Sequence, residues 1–336
     1  MIKIDGKEGG GQILRTALSL SMITGKGFHM QNIRGKRSKD GLMRQHLTCV
    51  KAATTICDAA VDGDVIRSTE LLFSPDQVKA GSYTFRIGSA GSTTLLFQTL
   101  LPALIHAEGR SSLRLHGGTH NPMAPSADFI SRSFLPQLCK MGASIKFNCE
   151  RLGFAPAGGG VISAMIDQTK KLAPLSLTDR GKELSRKVEI VAANLRSSVV
   201  KEEQKSLSEM IDWPASCYTV REENAVDGSG NVLVLEVEYE NHVLHVTSHG
   251  AFQKTSNRVA KDAVKAMLTY QRSAASIGPR LADQLLLPMA LAGSGEISTV
   301  GLTNHMKTNI ETIEAFLDVK FLVKECVKGE YIISLS

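Results

Sequence analysis

Read from its first residue, the chain keeps returning to one order of elements: strand, helix, strand, helix, strand, strand. "MIKIDG" and "FHMQNIRG" read as strands, and between them "GGQILRTALSLSMITG" has helical spacing. Leu42, Leu47, Val50 and Ala53 mark one face of a second helix, and "AVDGDVIRS" and "ELLFSP" close the unit as short strands. The order runs again from "GSYTFRIGS" through helices in "STTLLFQTLLPALIHAE" and "SADFISRSFLPQLCKMG" to the strands "SIKFNCE" and "GGGVISAMID". It starts a third time at "APLSLTDRG" and breaks off. The missing elements come only after residue 273. They are helix "PRLADQLLLPMALAG", where Pro288 predicts a kink, strand "GEISTVG", helix "TNHMKTNIETIEAFLD", and strands "KFLVKECV" and "EYIISLS".

A unit interrupted in this way predicts an insertion, because surface loops lengthen at little cost in closure entropy. Residues 182–273 carry their own pattern: strand "RKVEIVAANL", helix "SSVVKEEQKSLSEMID", then strands "CYTVREEN", "NVLVLEVEYE" and "HVLHVTSHG". "DGSGN" (227–231) reads as a turn between two of them, and "TSNRVAKDAVKAMLTYQ" as a closing helix capped by Thr255 or Ser256. The expected fold is therefore α/β (α+β). Three βαβαββ repeats form one large domain, residues 1–181 with 274–336, and a small α/β domain, 182–273, is inserted in the third repeat.

The 336 residues, 43% of them hydrophobic, suffice for a sizeable core. No apolar run approaches the roughly 20 residues of a membrane helix, and "MIKIDGKEGG" lacks the apolar centre of a secretory signal. The expectation is a cytoplasmic protein, nuclear if eukaryotic, with no membrane partner. None of the six cysteines forms a C-x-x-C pair, so metal-ligand spacing is absent and most should be small core residues. A net charge of +6 permits an anionic partner without demanding one.

Chemistry concentrates in a few stretches. "KEGGGQILRT" (7–16) sets glycines before a helix without matching the Walker pattern or the dinucleotide fingerprint. Bare backbone at a helix start still favours an anion, although a plain strand-to-helix turn is the bland alternative. Glu8 before the glycines and Gln12 and Arg15 after them would converge there, a trio suited to a divalent metal on Glu8 and a phosphate on Arg15. "RGKRSKDGLMRQH" places Arg34 and Arg37 in a loop and Arg44 and Gln45 on the next helix. Their planar guanidiniums match phosphate oxygens, although such clusters are commonly just solvated surface. "GSAGSTTLLFQ" turns into a helix that carries Gln98, and "GGTHNPMAP" is a glycine-proline loop. In "RLADQLLLPMALAG", Asp283 reads most simply as a helix cap. In "TNHMKTNIETIEAFL", Ile310, Ile313, Phe316 and Leu317 mark the buried face, and His305 lies off it.

Together these stretches, with "GFAPAGGG", resemble in order the motifs of RNA 3′-terminal phosphate cyclases, from residue 1 to the end and most weakly across 182–273. The resemblance implies that the insert is thioredoxin-like. It implies ATP-dependent conversion of an RNA 3′-phosphate to a 2′,3′-cyclic phosphodiester, through AMP carried on a histidine and then on the RNA. Carried over residue by residue, His305 is the nucleophile and Glu8 the carboxylate for Mg²⁺ or Mn²⁺. Arg15, Arg34, Arg37 and Gln45 match phosphate positions on RNA or ATP. Gln98, Pro125 and the run Arg280, Leu281, Ala282, Asp283 and Gln284 match the ATP site. The partners implied are ATP and an RNA with a 3′-terminal phosphate; protein partners are not implied.

The chain departs from the family pattern in places. Arg280 stands where an aromatic residue or histidine is usual, His120 replaces a short polar residue, and Asp40 replaces a common proline. "HGAFQKTSNRVAKDA" lacks the usual glycine-arginine-glycine pattern. The alternative reading is a non-catalytic, cyclase-like RNA-binding or ribosome-assembly factor, which the presence of His305 opposes. An enolpyruvyl transferase, built from similar repeats, would need two equal domains.

Overall fold

The computed structural model describes residues 1–8, 10–224 and 226–335, so Gly9 of the first glycine turn lies outside the described residues. The chain is a mixed α/β protein with several small sheets. Strands Ile2–Asp5, Phe28–Gln31, Leu71–Ser74 and Ala60–Asp62 lie side by side in that order, the first pair parallel and the others antiparallel. A second sheet, Ser82–Arg86, Ser111–Gly117, Gly160–Ile166 and Ile145–Arg151, has the same connectivity and the same senses. A third joins Leu175–Leu177, Gly295–Val300, Glu330–Leu335 and Phe321–Val327 in the same way, although its first strand precedes the others by more than a hundred residues.

Each of these sheets covers one face with helices. Gln12–Thr24 and Arg44–Cys57 belong to the first, Thr93–His106 and a helix over 127–140 to the second, Pro279–Ala292 and Asn304–Phe316 to the third. The helix over 127–140 widens to a π-type turn at Ile130–Phe134, and Pro279–Ala292 continues through Pro288. The apolar stripes meet in one core, with Leu14, Leu18, Phe97, Leu100, Leu285 and Phe316 inside it. Phe28 lies 5.6 Å from Phe73 in its own sheet and 6.1 Å from Phe316 of the chain's last helix. Helices from all three sheets thus share one interior.

A fourth sheet, Tyr218–Glu223, Glu183–Ala193, Gly230–Tyr239 and Val243–His249, carries Ser197–Ser208 and Ser256–Gln271 against it. Its core is separate, built from residues such as Val188, Leu233, Leu235, Val259 and Met267. Thr255 caps the last helix, its Oγ1 accepting the Arg258 N–H at 3.3 Å. An ionic seam joins this sheet to the helix over 127–140. Arg132 donates to Glu189 at 2.8 Å and to Glu236 at 3.2 Å, Arg221 to Asp128 at 2.5 Å, and the buried ring of His120 meets Asp128 at 2.9 Å.

Two expectations are corrected. Asp283 is not a cap: the helix begins at Pro279 with Gly278 as its N-cap, so Asp283 lies in its second turn. Of the six free cysteines only Cys49 and Cys57 are buried, while Cys139 and Cys326 are exposed because they fall on outward-facing helix and strand positions.

Candidate active site

Where the helices Gln12–Thr24, Thr93–His106, Pro279–Ala292 and Asn304–Phe316 converge, they leave a cavity of about 460 Å³. Its wall includes Arg15, Gln98, Pro125, Arg280, Asp283, Gln284 and His305, brought together from five separate stretches of sequence. His305 owes its position to a start signal. Thr303 is the N-cap, its hydroxyl accepting the Met306 N–H at 3.2 Å, and His305 follows in the first turn, exposed on the side away from Met306, Ile313 and Phe316.

A polar network holds the floor. Gln12 Nε2 donates to Asp283 Oδ1 at 2.8 Å, and Asn309 Nδ2 donates to the Asp283 carbonyl at 3.0 Å. Thr16 Oγ1 donates to Asn309 Oδ1 at 2.8 Å, and Gln98 Nε2 donates to Gln284 Oε1 at 2.6 Å. Burial pushes the Asp283 carboxyl above its ordinary range. The Gln12 bond, His305, Asn309 and Arg15 oppose that rise, which makes His305 and Arg15 electrostatic neighbours of the carboxylate. Buried polar groups linked in this way fix side-chain positions, because any displacement strands a donor or acceptor.

Beside the cavity lies a cationic corner. Arg15 and His46 pack against Gly11, where an added Cβ would stand 2.3 Å from His46 Nε2 and 2.8 Å from Arg15 Nη1. Gly10, at φ 59°, lies under the Arg37 guanidinium. Arg34 sits at φ 58° and donates to the Gly41 carbonyl at 3.1 Å. Burial lowers the Arg34 pKa, and the like charges of Arg37 and Arg67 lower it further. Burial, with Arg15 and Arg34 nearby, drives His46 down to about 3, so that ring is neutral and adds no competing charge. Crowded cations of this kind are eased by a bound anion. The glycines leave room for guanidiniums here.

The remaining sequence candidates fall elsewhere. Leu281 and Ala282 are buried in the core, so no side chain of theirs reaches the cavity. Gln45 does not line it; its Oε1 accepts the Ser92 N–H at 3.2 Å and ties the second helix to the start of the third. Glu8 is exposed and paired with Lys36. Among the described residues no cluster of three or more His, Cys, Asp or Glu could hold a metal ion. Glu8 offers one carboxylate, which fits only a cation that completes its shell from phosphate oxygens and water.

Sequence reasoning missed Thr16, Asn309, His46, Met123 and Thr247. Asn309 did leave a trace, since it is polar on a helix face otherwise marked by Met306, Ile313 and Phe316. Thr247 left none: its Oγ1 accepts from Arg280 Nη1 at 2.9 Å, across from the fourth sheet. Arg280 itself is an exposed residue at the cavity wall, although burial around its guanidinium lowers the pKa.

A family model described as RNA 3′-terminal phosphate cyclase matches residues 6–323. The protein of that name from Koribacter versatilis is 44% identical over 97% of this chain and 92% of its own length. Its counterpart from Pseudomonas fluorescens is 43% identical over 95% of this chain and 93% of its own. That of Salmonella enteritidis PT4 is 42% identical over 100% of this chain and 99% of its own. The solved enolpyruvyl transferase NikO from Streptomyces tendae aligns only at a TM-score of 0.39 and 10% identity, covering 99% of this chain and 47% of that one, and carries no argument. No helix among the described residues is long and apolar enough to cross a membrane. With its motifs in order and relatives matching nearly end to end, the chain belongs to the RNA 3′-terminal phosphate cyclase family.

Proposed function

We propose that the protein uses ATP to convert an RNA 3′-terminal phosphate to a 2′,3′-cyclic phosphodiester, with AMP carried first on His305. The observation that carries this reading is the position of His305 on one cavity with Arg15, Gln98, Arg280, Asp283 and Gln284. A nitrogen of the neutral imidazole attacks the α-phosphorus of ATP; a P–N bond forms, the α–β P–O bond breaks, and diphosphate leaves. An oxygen of the RNA 3′-phosphate then attacks the same phosphorus, and the P–N bond breaks to leave AMP on the RNA. The adjacent 2′-hydroxyl attacks the 3′-phosphorus, losing its proton to water. AMP departs as leaving group, helped by the intramolecular geometry.

In this reading Asp283 stabilises positive charge as it develops on His305, and Gln12 and Asn309 hold Asp283 in place. Arg280 and Pro125 border the nucleobase, Gln98 and Gln284 contact the nucleotide, and Leu281 and Ala282 hold the Arg280–Gln284 run in register from beneath. Arg15, Arg34 and Arg37 take phosphates, with Gln45 fixing the helix beside them. Mg²⁺ or Mn²⁺, shared between Glu8 and substrate phosphates, would neutralise their charge. We also read residues 1–181 with 274–336 as one body of three like units, and 182–273 as a thioredoxin-like insertion; the separate sheet and core of the latter support this.

The test is incubation with ATP labelled in the α-phosphate and divalent cation. Acid-labile, alkali-stable label on the wild type and none on His305→Ala is the expected result. Absence of label on both, with the RNA end still phosphatase-sensitive, would refute it.

A further inference from the structure

The loop between the strands Ala60–Asp62 and Leu71–Ser74 carries Arg67 in the left-handed region, at φ 70°, and Arg34 shares that conformation at φ 58°. An L side chain is strained there, and glycine or asparagine fills such a turn at less cost. Two arginines in that conformation indicate that the guanidiniums themselves are what the turns supply. Arg67 gains little from its own surroundings. Its side chain is 51% exposed, and its Nη2 lies 3.5 Å from Asp40 Oδ1, a loose pair in water that is worth too little to offset the strain.

Both arginines reach the same strip of backbone. Arg34 Nη1 donates to the Gly41 carbonyl at 3.1 Å, and Arg67 Nη1 donates to the carbonyl just before it, that of Asp40, at 3.3 Å. The Arg67 N–H donates to the Leu42 carbonyl at 2.7 Å, and a Cβ added to Gly41 would stand 2.4 Å from the Arg67 carbonyl oxygen. Bare backbone at Gly41 is what lets the two segments close together. On the other side, the Arg37 N–H donates to the Arg34 carbonyl at 2.9 Å, and a Cβ on Gly10 would stand 3.1 Å from Arg37 Nη2. The next glycine, Gly11, packs against Arg15 of the cavity wall. Contact by contact, Arg15, Arg37, Arg34 and Arg67 form a file that leads from the cavity to open surface. After burial, Arg37 and Arg67 press the Arg34 pKa down and Asp40 pulls it up, as expected of groups in one shared field.

We propose that Arg67 binds a phosphodiester of the RNA upstream of its 3′ end, and that Asp40 holds the guanidinium until that phosphate displaces it. The proposal rests on the cyclase reading, which brings the RNA end to Arg15, Arg34 and Arg37. A strand whose terminal phosphate is engaged there and which leaves along the file meets Arg67 next. A planar guanidinium takes phosphate oxygens through two N–H groups and reads no base, which suits a substrate defined by its end rather than its sequence. Arg67 reaches no reacting atom, so it acts on affinity for the RNA.

The test is filter binding, without ATP and over a series of salt concentrations, of a ten-nucleotide RNA that carries a 3′-phosphate. Arg67→Gln should bind roughly tenfold more weakly than wild type. Its slope of log K against log salt should flatten by about 0.7, the share of one phosphate contact on a single strand. Arg67→Lys should keep the wild-type slope. An RNA with the same 3′-phosphate but uncharged methylphosphonate linkages should bind wild type and Arg67→Gln alike. Asp40→Asn should tighten binding of the charged RNA about two- to fivefold. AMP labelling and melting temperature, neither of which involves RNA, report on the fold; a purely structural Arg67 would lower them and leave the salt slope alone. An unchanged slope in Arg67→Gln, or an equal loss on the uncharged RNA, would overturn the phosphate contact, and binding not tightened by Asp40→Asn would overturn the competition. If the wild type cyclises nothing with ATP and yet the slope flattens, the cyclase reading fails and the phosphate contact stands. Cyclisation with an unchanged slope gives the reverse.

Discussion

Replacing Glu203 with Gln should stabilise the protein, and only on the alkaline side. Glu203 lies in the helix Ser197–Ser208 at 1% exposure; its Oε1 accepts from Asn231 Nδ2, and its Oε2 has no partner. Burial pushes the carboxyl up to about 7 from an ordinary 4.5, against the opposing pull of the Asn231 bond and Lys254. The folded chain therefore holds this proton more tightly than the unfolded chain, and ionisation opposes folding. The penalty is absent below pH 4.5, grows as the pH rises towards about 7, and is constant above. Its full size is roughly 3 kcal/mol. Glutamine keeps the acceptor for Asn231 and carries no charge, so the variant should match the wild type near pH 4. At pH 8 it should melt roughly 4 °C higher, taking an unfolding entropy of about 2.1 cal/mol/K per residue over the chain. Thermal melts followed by circular dichroism from pH 4 to 8.5 give the comparison. Coincident melts at every pH, or a gap that widens towards acid, would refute the argument.

Asp283→Asn preserves an acceptor for Gln12 and Asn309, so it should fold; because burial holds the native carboxyl high, its melting temperature should exceed that of the wild type increasingly as the pH rises above 3.8. Labelling by ATP should nevertheless fall at least about tenfold, since the charge beside His305 is gone. Thr247→Val removes the acceptor of an exposed guanidinium, a loss of about 0.5–1 kcal/mol, so the KM for ATP should rise about two- to fivefold at unchanged kcat while Thr247→Ser behaves as wild type. Gly11→Ala drives a methyl group into His46 and Arg15; steady-state assays should show RNA cyclisation reduced more than AMP labelling, with a stability loss of about 1–3 kcal/mol by denaturant titration.

The helices were legible because periodicity and caps are local, as with Thr255 and the stripe of Ile313 and Phe316. Several charged and amide residues of the cavity wall were named through motifs, although motif membership could not separate Asp283 and Gln284, which face the cavity, from Leu281 and Ala282, which face the core. Helical rotation makes that distinction, and it depends on where the neighbouring helices lie. The links that fix the floor join positions hundreds of residues apart, Thr16 to Asn309 and Gln12 to Asp283, and no local pattern announces such pairs. Asp283 looked like a cap because the true start of its helix, Gly278–Pro279, offers no side-chain oxygen.

The ionic seam between the fourth sheet and the helix over 127–140 bears on anyone who would cut the chain down. The flanks of 182–273, the segment proposed as an insertion, lie side by side: Ser276 bonds the Leu177 carbonyl, and Arg180 grips the Ala275 carbonyl at 2.7 Å, so a shortcut would close easily. Yet excision would strip Asp128 of Arg221 and leave Arg132 without either glutamate. A minimal enzyme made that way would need Asp128 and Arg132 redesigned together, as one charge pair facing water.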